Sequence, residues 1–455
     1  MSNATFNWPL SQIARVTDGQ LIGEDANARG VSTDSRSIAR GQLFFALMGP
    51  NFNGHDFISH AEQRGAVGVV VSEETKTTLN RVVVTDTKRA LGKLASAWRS
   101  QFNLPLIAVT GSNGKTTVKE MMASILGTTK ITLATQGNLN NDIGMPLTLL
   151  RLTSDHQAAV IEMGANHPGE IDYLSKLAKP TVAVITNAGP AHLEGFGSIE
   201  GVAKAKGEIY AGLDAAGTAV INADDRYADY WRSVCQHLKV LTFGLSPKAD
   251  VSAKYSTDLT HTDLDISTPG GGKIQVNLPL LGVHNVMNAL AATAACLSAG
   301  MDVSAIKQGL EKLQNVAGRL QLKKGKAGSR IIDDTYNANP ASLGAALQVL
   351  RDLPGRHYLA IGDMGELGSD AEQLHRDAGK QARDTGVSRV YAIGKYAKYV
   401  AQSFGKNGQE FLDHLTMASA ISDSLSSDVT LLVKGSRLMQ MEKVVNALLA
   451  NGENR

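Results

Sequence analysis

The run Gly111-Ser112-Asn113-Gly114-Lys115-Thr116-Thr117 sets two glycines, a lysine and two threonine hydroxyls between an apolar stretch, residues 104–110 (LPLIAVT), and a helically patterned one, Val118 to Leu126. A glycine-rich turn between a buried strand and a helix offers backbone N–H groups and a helix N-terminus to an anion. In such a loop Gly111 and Gly114 let the backbone close around phosphate oxygens. Lys115 reaches the β- and γ-phosphates and the Thr116 hydroxyl ligates Mg²⁺. In the usual eight-residue spacing the first glycine would fall on Val109, so this is the shorter GxxGKT form. The chemistry expected is binding of a nucleoside triphosphate.

Other reactive side chains sit where such a ligand would lie. Glu162, in VIEMGAN, closes a strand expected over Ala158–Met163, at the sheet end where open α/β folds bind ligands. It reads either as a solvated carboxylate or as a Mg²⁺ ligand, since hard oxygen donors suit that ion. His192, in AHLEGFGS, follows a strand expected over Thr181–Thr186, and Lys206, in KAKGEIY, lies on a helix. On spacing alone each is a structural residue or a site residue. Asn138, Asn140 and Asn141, in GNLNNDIG, form a polar loop of the kind that contacts ligands.

The elements that must position these groups follow from the hydrophobic pattern. At 455 residues the chain predicts two or three domains, and three are expected: 1–86, 87–318 and 319–455. The first is a small α/β unit with buried strands at Val67–Val71 and Val82–Val84, joined to the second through a helix over Thr87–Trp98. The second alternates strand and helix, which implies a parallel sheet. It carries an antiparallel hairpin insert between Val251 and Leu281, then a helix over Asn285–Ala299. From Arg330 the alternation resumes as a second doubly wound unit, with strands at Arg330–Asp333, Tyr358–Gly362, Val390–Gly394 and Val429–Val433 and helices at Ser342–Arg351, Ala371–Thr385 and Met439–Leu449. Composition narrows the function. Lys plus Arg (45) nearly balances Asp plus Glu (43), so the basic excess of a nucleic-acid binder is missing. Cys235 and Cys296 make neither a disulfide framework nor a zinc CxxC pair, and are expected as buried thiols. MSNATFNWPL has no secretory pattern, and the uncharged run from Ile274 to Met301 is broken by Pro279, Gly282, His284, Asn285 and Asn288. A soluble cytoplasmic protein, without membrane insertion, is expected.

Taken in order, TDSR (33–36), TGSNGKTTVKEM (110–121), GNLNNDIGMP (137–146), IEMGANHPGEI (161–171), AHLEGFGS (191–198), KAKGEIY (204–210), GVHNVMNALAA (282–292), GRL (318–320), DDTYNANP (333–340), GDMGELG (362–368) and VKGSR (433–437) resemble the Mur ligase family. Its members are ATP-dependent amide-forming enzymes of bacterial cell-wall synthesis. The pattern is most similar to the branch that joins D-alanyl-D-alanine to UDP-N-acetylmuramoyl-tripeptide, and the DNPR signature of the diaminopimelate-adding branch is absent. The resemblance implies a UDP-substrate domain, a central ATPase domain and a Rossmann-like third domain that closes over the site. It implies ATP and Mg²⁺ as cofactors, with Thr116, Glu162 and His192 toward the metal and Lys206 as a lysine carbamylated in related ligases. By the same resemblance Asn285 and Asn288 contact adenine, Arg319 and Asp334 contact phosphate and ribose, and Ser35 and Arg36, with His55 and Asp56 behind them, lie near the uridine diphosphate. Asn337, Asn339 and Asp363 are the candidates for dipeptide contacts, and a monomer is the expected state. A sister ligase, or a P-loop kinase that would leave KAKGEIY and DDTYNANP without a task, are the competing readings at this point.

Overall fold

The computed structural model describes residues 5–313 and 318–450; the first four residues of the segment read for a leader lie outside it. Three sheet-based units follow one another along the chain.

The first unit is a five-stranded sheet in the order Gln20–Ile22, Asn80–Val83, Gly68–Val71, Leu43–Phe45, Val31–Ser32. Of its inner strands, Gly68–Val71 and Leu43–Phe45 are apolar throughout because both faces are covered, whereas Asn80–Val83 opens with Asn and Arg. Phe45 and Val70 point into one core with Leu10 and Ile13, while Phe44, Val69 and Val71 point into another with Ile58 and Ala61. The helix Thr87–Arg99 then starts on Asp86, whose side chain accepts from the Arg89 N–H. Trp98 on this helix stacks edge-on against Trp8 and Phe102 and donates its indole N–H to Leu152 O at 3.1 Å.

The central unit is a six-stranded, all-parallel sheet: Thr132–Ala134, Ala158–Glu162, Leu106–Thr110, Val182–Ile185, Thr218–Asn222, Lys239–Phe243. The strand that feeds the glycine-rich loop is thus flanked by the strands ending at Glu162 and Ile185. The chain runs outward from it first to one side and then to the other, which makes a crevice at the strand ends. The helix after the loop begins at Lys115, three residues before the apolar pattern, so Lys115 sits on its first turn. The expected hairpin insert is a three-stranded antiparallel sheet, Ser252–Thr257, Thr262–Thr268 and Gly272–Leu278. The last two strands alternate buried and exposed residues, whereas the first is mostly exposed and polar, which hid it from a hydrophobic pattern. The strands Thr218–Asn222 and Lys239–Phe243 were also not expected; their apolar runs are short and fill one side of a sheet already begun.

The third unit is again six-stranded: Gln321–Lys324, Arg330–Asp334, Val429–Lys434, Arg356–Gly362, Arg389–Ile393, Gly408–Phe411. Only the first strand runs antiparallel, on the edge. The last helix covers Glu442–Leu448 rather than starting at Met439, because Gln440 takes a left-handed conformation (φ 49°) that interrupts it. Both cysteines are buried and free, and burial pushes the Cys235 thiol up to about 12. Among the described residues no helix is long and apolar enough to cross a membrane.

Candidate active site

The loop after Thr110 needs its glycines. Gly111 (φ 148°) and Gly114 (φ 83°) lie in the region that favours glycine, and a Cβ on either would run into the side chain of Thr186 or Asn288. The end of the neighbouring strand holds the loop in place. Ser112 N–H donates to Asn187 O (3.0 Å), Asn113 N–H to the Asn187 side chain (3.0 Å), and the Thr186 hydroxyl to Asn113 O (2.6 Å). Lys115 Nζ folds back onto Gly111 O at 2.7 Å. Crowding by protein atoms lowers its pKa, a cost partly offset by the Glu162 carboxylate.

Glu162, Lys206 and His192 each keep a buried polar atom without a hydrogen bond near this loop. Glu162 is 1% exposed; Asn140 donates to one carboxylate oxygen at 2.8 Å, and the other is buried without a hydrogen bond. Lys206, on the helix Ile199–Gly207, is also 1% exposed, and its ammonium has no hydrogen-bond partner, only the Phe196 ring at 5.3 Å. Desolvation first, and then the charge of Lys115, push its pKa down to about 7. His192 sits at φ 53° just before the short helix Leu193–Phe196, with Nδ1 at 2.6 Å from the carboxylate of Glu366 in the third unit. Buried polar groups are normally satisfied, so orphaned ones at a crevice mark where a ligand supplies the missing partner.

Two cavities meet here. The larger, about 890 Å³, is lined by Lys115, Thr116, Glu162, His192 and Asn138, Asn140 and Asn141, and on its far side by Lys88 and Arg89. Asn141 also does structural work, since its side chain accepts the Gly144 N–H and starts the helix Gly144–Leu149. The smaller, about 280 Å³, has Phe243, Leu280 and Met287 as apolar walls and Asn285, Asn288, Asp334 and Thr117 as polar ones. Its asparagines are preset: Asn285 donates to Leu281 O at 2.9 Å, and Asn288 donates to Asn285 Oδ1 at 3.1 Å. An apolar slot with a few convergent amides beside a phosphate loop has the form of a nucleobase site.

The third unit reaches over both cavities. Arg319 lines each of them, stacks on Tyr336 at 4.0 Å and donates to the Thr116 hydroxyl at 3.2 Å. Asn339 donates to Asn113 Oδ1 at 2.9 Å, while its own oxygen accepts from Ser342 and caps the helix Pro340–Asp352. Asn337 lines the larger cavity, its carbonyl held by Lys434 at 2.8 Å.

Not every expected residue joins this cluster. Ser35 is buried with its hydroxyl 3.1 Å from His60 Nδ1, and Arg36 is exposed and paired with Asp34 at 2.8 Å. His55 accepts the Ser72 N–H at 3.1 Å. These residues and Asp56 belong to the first unit and line neither cavity. Asp363 is a turn residue, accepting the N–H groups of Lys395 and Tyr396, and lines neither cavity either. Conversely, Asn187, Glu366, Arg89 and Lys434 emerge only in three dimensions. Lys434 is 2% exposed and pairs with Asp334 at 2.5 Å. The sole sequence signal for Lys434 was its place at the end of an apolar run in VKGSR.

Among the described residues no three or more His, Cys, Asp or Glu side chains cluster as a metal cage. Mg²⁺ bound with a triphosphate needs none, because phosphate oxygens and water fill most of its sphere. The free oxygen of Glu162 and the Thr116 hydroxyl beside the loop fit that mode.

Three family descriptions match the chain in order: "Mur ligase family, catalytic domain" over residues 27–99, "Mur ligase middle domain" over 109–296 and "Mur ligase, glutamate ligase domain" over 318–437. A UDP-N-acetylmuramoyl-tripeptide–D-alanyl-D-alanine ligase of Escherichia coli is 44% identical, across 97% of this chain and 98% of its own. The chain belongs to the Mur ligase family. Among solved Mur ligases, MurF from Acinetobacter baumannii superposes with a TM-score of 0.92 at 36% identity, covering 97% of this chain and 98% of its own. MurF from Thermotoga maritima, in complex with ADP, gives 0.83 at 28% identity, covering 92% and 97%. As a Mur ligase this chain is an ATP-dependent peptide ligase of mixed α/β architecture.

Proposed function

We infer that this Mur ligase joins D-alanyl-D-alanine to UDP-N-acetylmuramoyl-tripeptide, giving the UDP-muramoyl pentapeptide, ADP and phosphate. The observation that carries this is near full-length identity with relatives of that name, 44% and 41% in two of them, combined with a cleft equipped for phosphoryl transfer.

A carboxylate is a poor electrophile, so it is activated by taking the γ-phosphoryl group of ATP as an acyl phosphate. The dipeptide amine then attacks the acyl carbon, and phosphate leaves. Lys115 neutralises charge on the transferring phosphoryl group, and the loop N–H groups and helix N-terminus hold the phosphates before it. Asn285 and Asn288 read the adenine edge; Asp334, held by Lys434, meets the ribose; Arg319 closes on the phosphates from the third unit. Thr116, Glu162 and His192 are the groups that would hold Mg²⁺, which when bound offsets the repulsion among the phosphates and the substrate carboxylate. With its pKa lowered to about 7, Lys206 holds a substantial fraction of uncharged amine near neutral pH, the form that would take up carbon dioxide as a carbamate and so supply an anion beside the metal. Asn138, Asn140, Asn141, Asn337 and Asn339 line the path of the peptide end, while Ser35 and Arg36 serve the uridine diphosphate on the first unit. Since an acyl phosphate hydrolyses in water, the cross-domain contacts of Arg319 and Asn339 also keep the cleft closed during the reaction. Both cavities are lined within one chain, which suits a monomer, and nucleotide-linked substrates suit a reaction in the cytoplasm.

The test is phosphate release from ATP and Mg²⁺ with the UDP-muramoyl tripeptide, with and without D-alanyl-D-alanine. Release that requires both substrates, with a product of pentapeptide mass, is the expected result. Release driven instead by a single amino acid would assign the chain to a sister ligase.

A further inference from the structure

Two non-glycine residues that line the larger cavity occupy the left-handed backbone region, and they face each other. His192 (φ 53°) belongs to the central unit and Glu366 (φ 60°) to the third, with His192 Nδ1 2.6 Å from the Glu366 carboxylate. Side chains with a Cβ enter this backbone region at a cost, and such residues persist where the surroundings demand them. Glu366 lies between Gly365 and Gly368 in the turn GELG, and a Cβ added at Gly368 would come within 4.0 Å of Glu194 Cβ, two residues beyond His192, so the turn lies beside the segment that carries His192.

We propose that Glu366 is a positioning residue that aligns His192 for the metal only when the third unit has closed over the phosphate loop. This rests on the reading of His192 as a Mg²⁺ ligand given above. The two groups touch without hydrogen-bond alignment; a small rotation of the ring would place an Nδ1 proton on the carboxylate, and that tautomer leaves the Nε2 lone pair free for a metal. For His192 the partner Glu366 comes from a different unit of the chain, so under this proposal full metal affinity would arrive with closure of that unit, and the cation would be held loosely while the cleft is open. The same carboxylate lies close enough to Lys115 to act on its charge, which ties the turn to the centre of the phosphate site.

Glycine provides a discriminating variant, because it takes φ 60° without strain while removing the carboxylate. In intact enzyme, binding of a non-hydrolysable ATP analogue is measured by calorimetry with and without Mg²⁺, for wild type, Glu366→Gly, Glu366→Gln, His192→Ala and the Glu366→Gly/His192→Ala pair. Glu366→Gly is expected to reduce the Mg²⁺-dependent gain in affinity about tenfold or more, with metal-free affinity and melting temperature not lowered. Glu366→Gln should recover part of the gain through its amide oxygen, and the double variant should lose no more than His192→Ala alone. A full Mg²⁺ gain in Glu366→Gly, or losses that simply add in the double variant, overturns the proposal while leaving His192 in place. A full gain in His192→Ala would remove the metal role of His192 and the proposal with it.

Discussion

The central and third units both bring parallel strand ends of a six-stranded sheet to the cleft, yet the charges buried at Asp334 and Lys434 and those at Glu162 and Lys206 are treated in opposite ways. At the third sheet, Asp334 and Lys434 meet at 2.5 Å and Lys434 also finds Asn337 O, so the charges satisfy each other. At the central sheet, Glu162 keeps one oxygen without a partner and Lys206 keeps its whole ammonium so. The first arrangement holds a shape; the second is incomplete until something binds. Self-compensated charge therefore points to positioning, and uncompensated charge at equal burial points to chemistry.

The strongest way to test that contrast is to remove a charge on the central side. Lys115→Ala should lower the rate by about 10³-fold, with circular dichroism and melting temperature close to wild type; near-normal turnover would remove Lys115 from the reaction. On the third side the loss should instead appear in stability. Lys434→Met strands a buried carboxylate and is expected to cost about 3–5 kcal/mol in urea unfolding. Adding Asp334→Asn should return much of that, since no unpaired charge then remains.

Lys206 gives the opposite sign. Its ammonium titrates near 7 when folded against 10.5 as an ordinary lysine, so between those values the unfolded chain holds the extra proton and stability rises with pH. Lys206→Met, measured free of carbon dioxide, should be more stable than wild type below pH 7 by roughly 3–5 kcal/mol. That advantage should fade as pH approaches 10.5, while turnover is lost. A pH-independent difference would contradict the burial argument. The smallest effect belongs to Asn339→Ser, which keeps a helix cap but gives up the bond to Asn113. A change of about 1 kcal/mol or less in apparent ATP affinity is expected, against none for a cap-only role.

Much of this was legible beforehand where one stretch of chain carries its own reason. The strand–loop–helix around 104–126 could be read because an apolar run, two glycines and a helical pattern are contiguous there. Glu162 could be placed because a strand end is a local property. What stayed hidden depends on two stretches meeting. Asn187 matters because it reaches back to Asn113, and Glu366 because a turn of the third unit lands on His192. The polar strand Ser252–Thr257 was invisible for a different reason: its side chains face solvent, so no alternation marks it. The first-unit candidates Ser35, Arg36, His55 and Asp56 carried motif resemblance without a local chemical signature, and they lie apart from the cleft.

One detail of the packing bears on how the molecule could be taken apart. Phe6, Trp8 and Leu10 of the first unit share a single continuous core with Trp98, Leu149, Ile161 and Ile209 of the central unit, whereas the interior of the third sheet belongs to separate clusters. Mechanically, three sheets make two pieces: a fused anvil and one hammer. Excising the third unit should leave both surfaces presentable. Cutting near residue 86 would instead split an interior and leave two apolar faces wet, so the smallest fragment worth expressing for ligand screening on the first unit carries the first two units together.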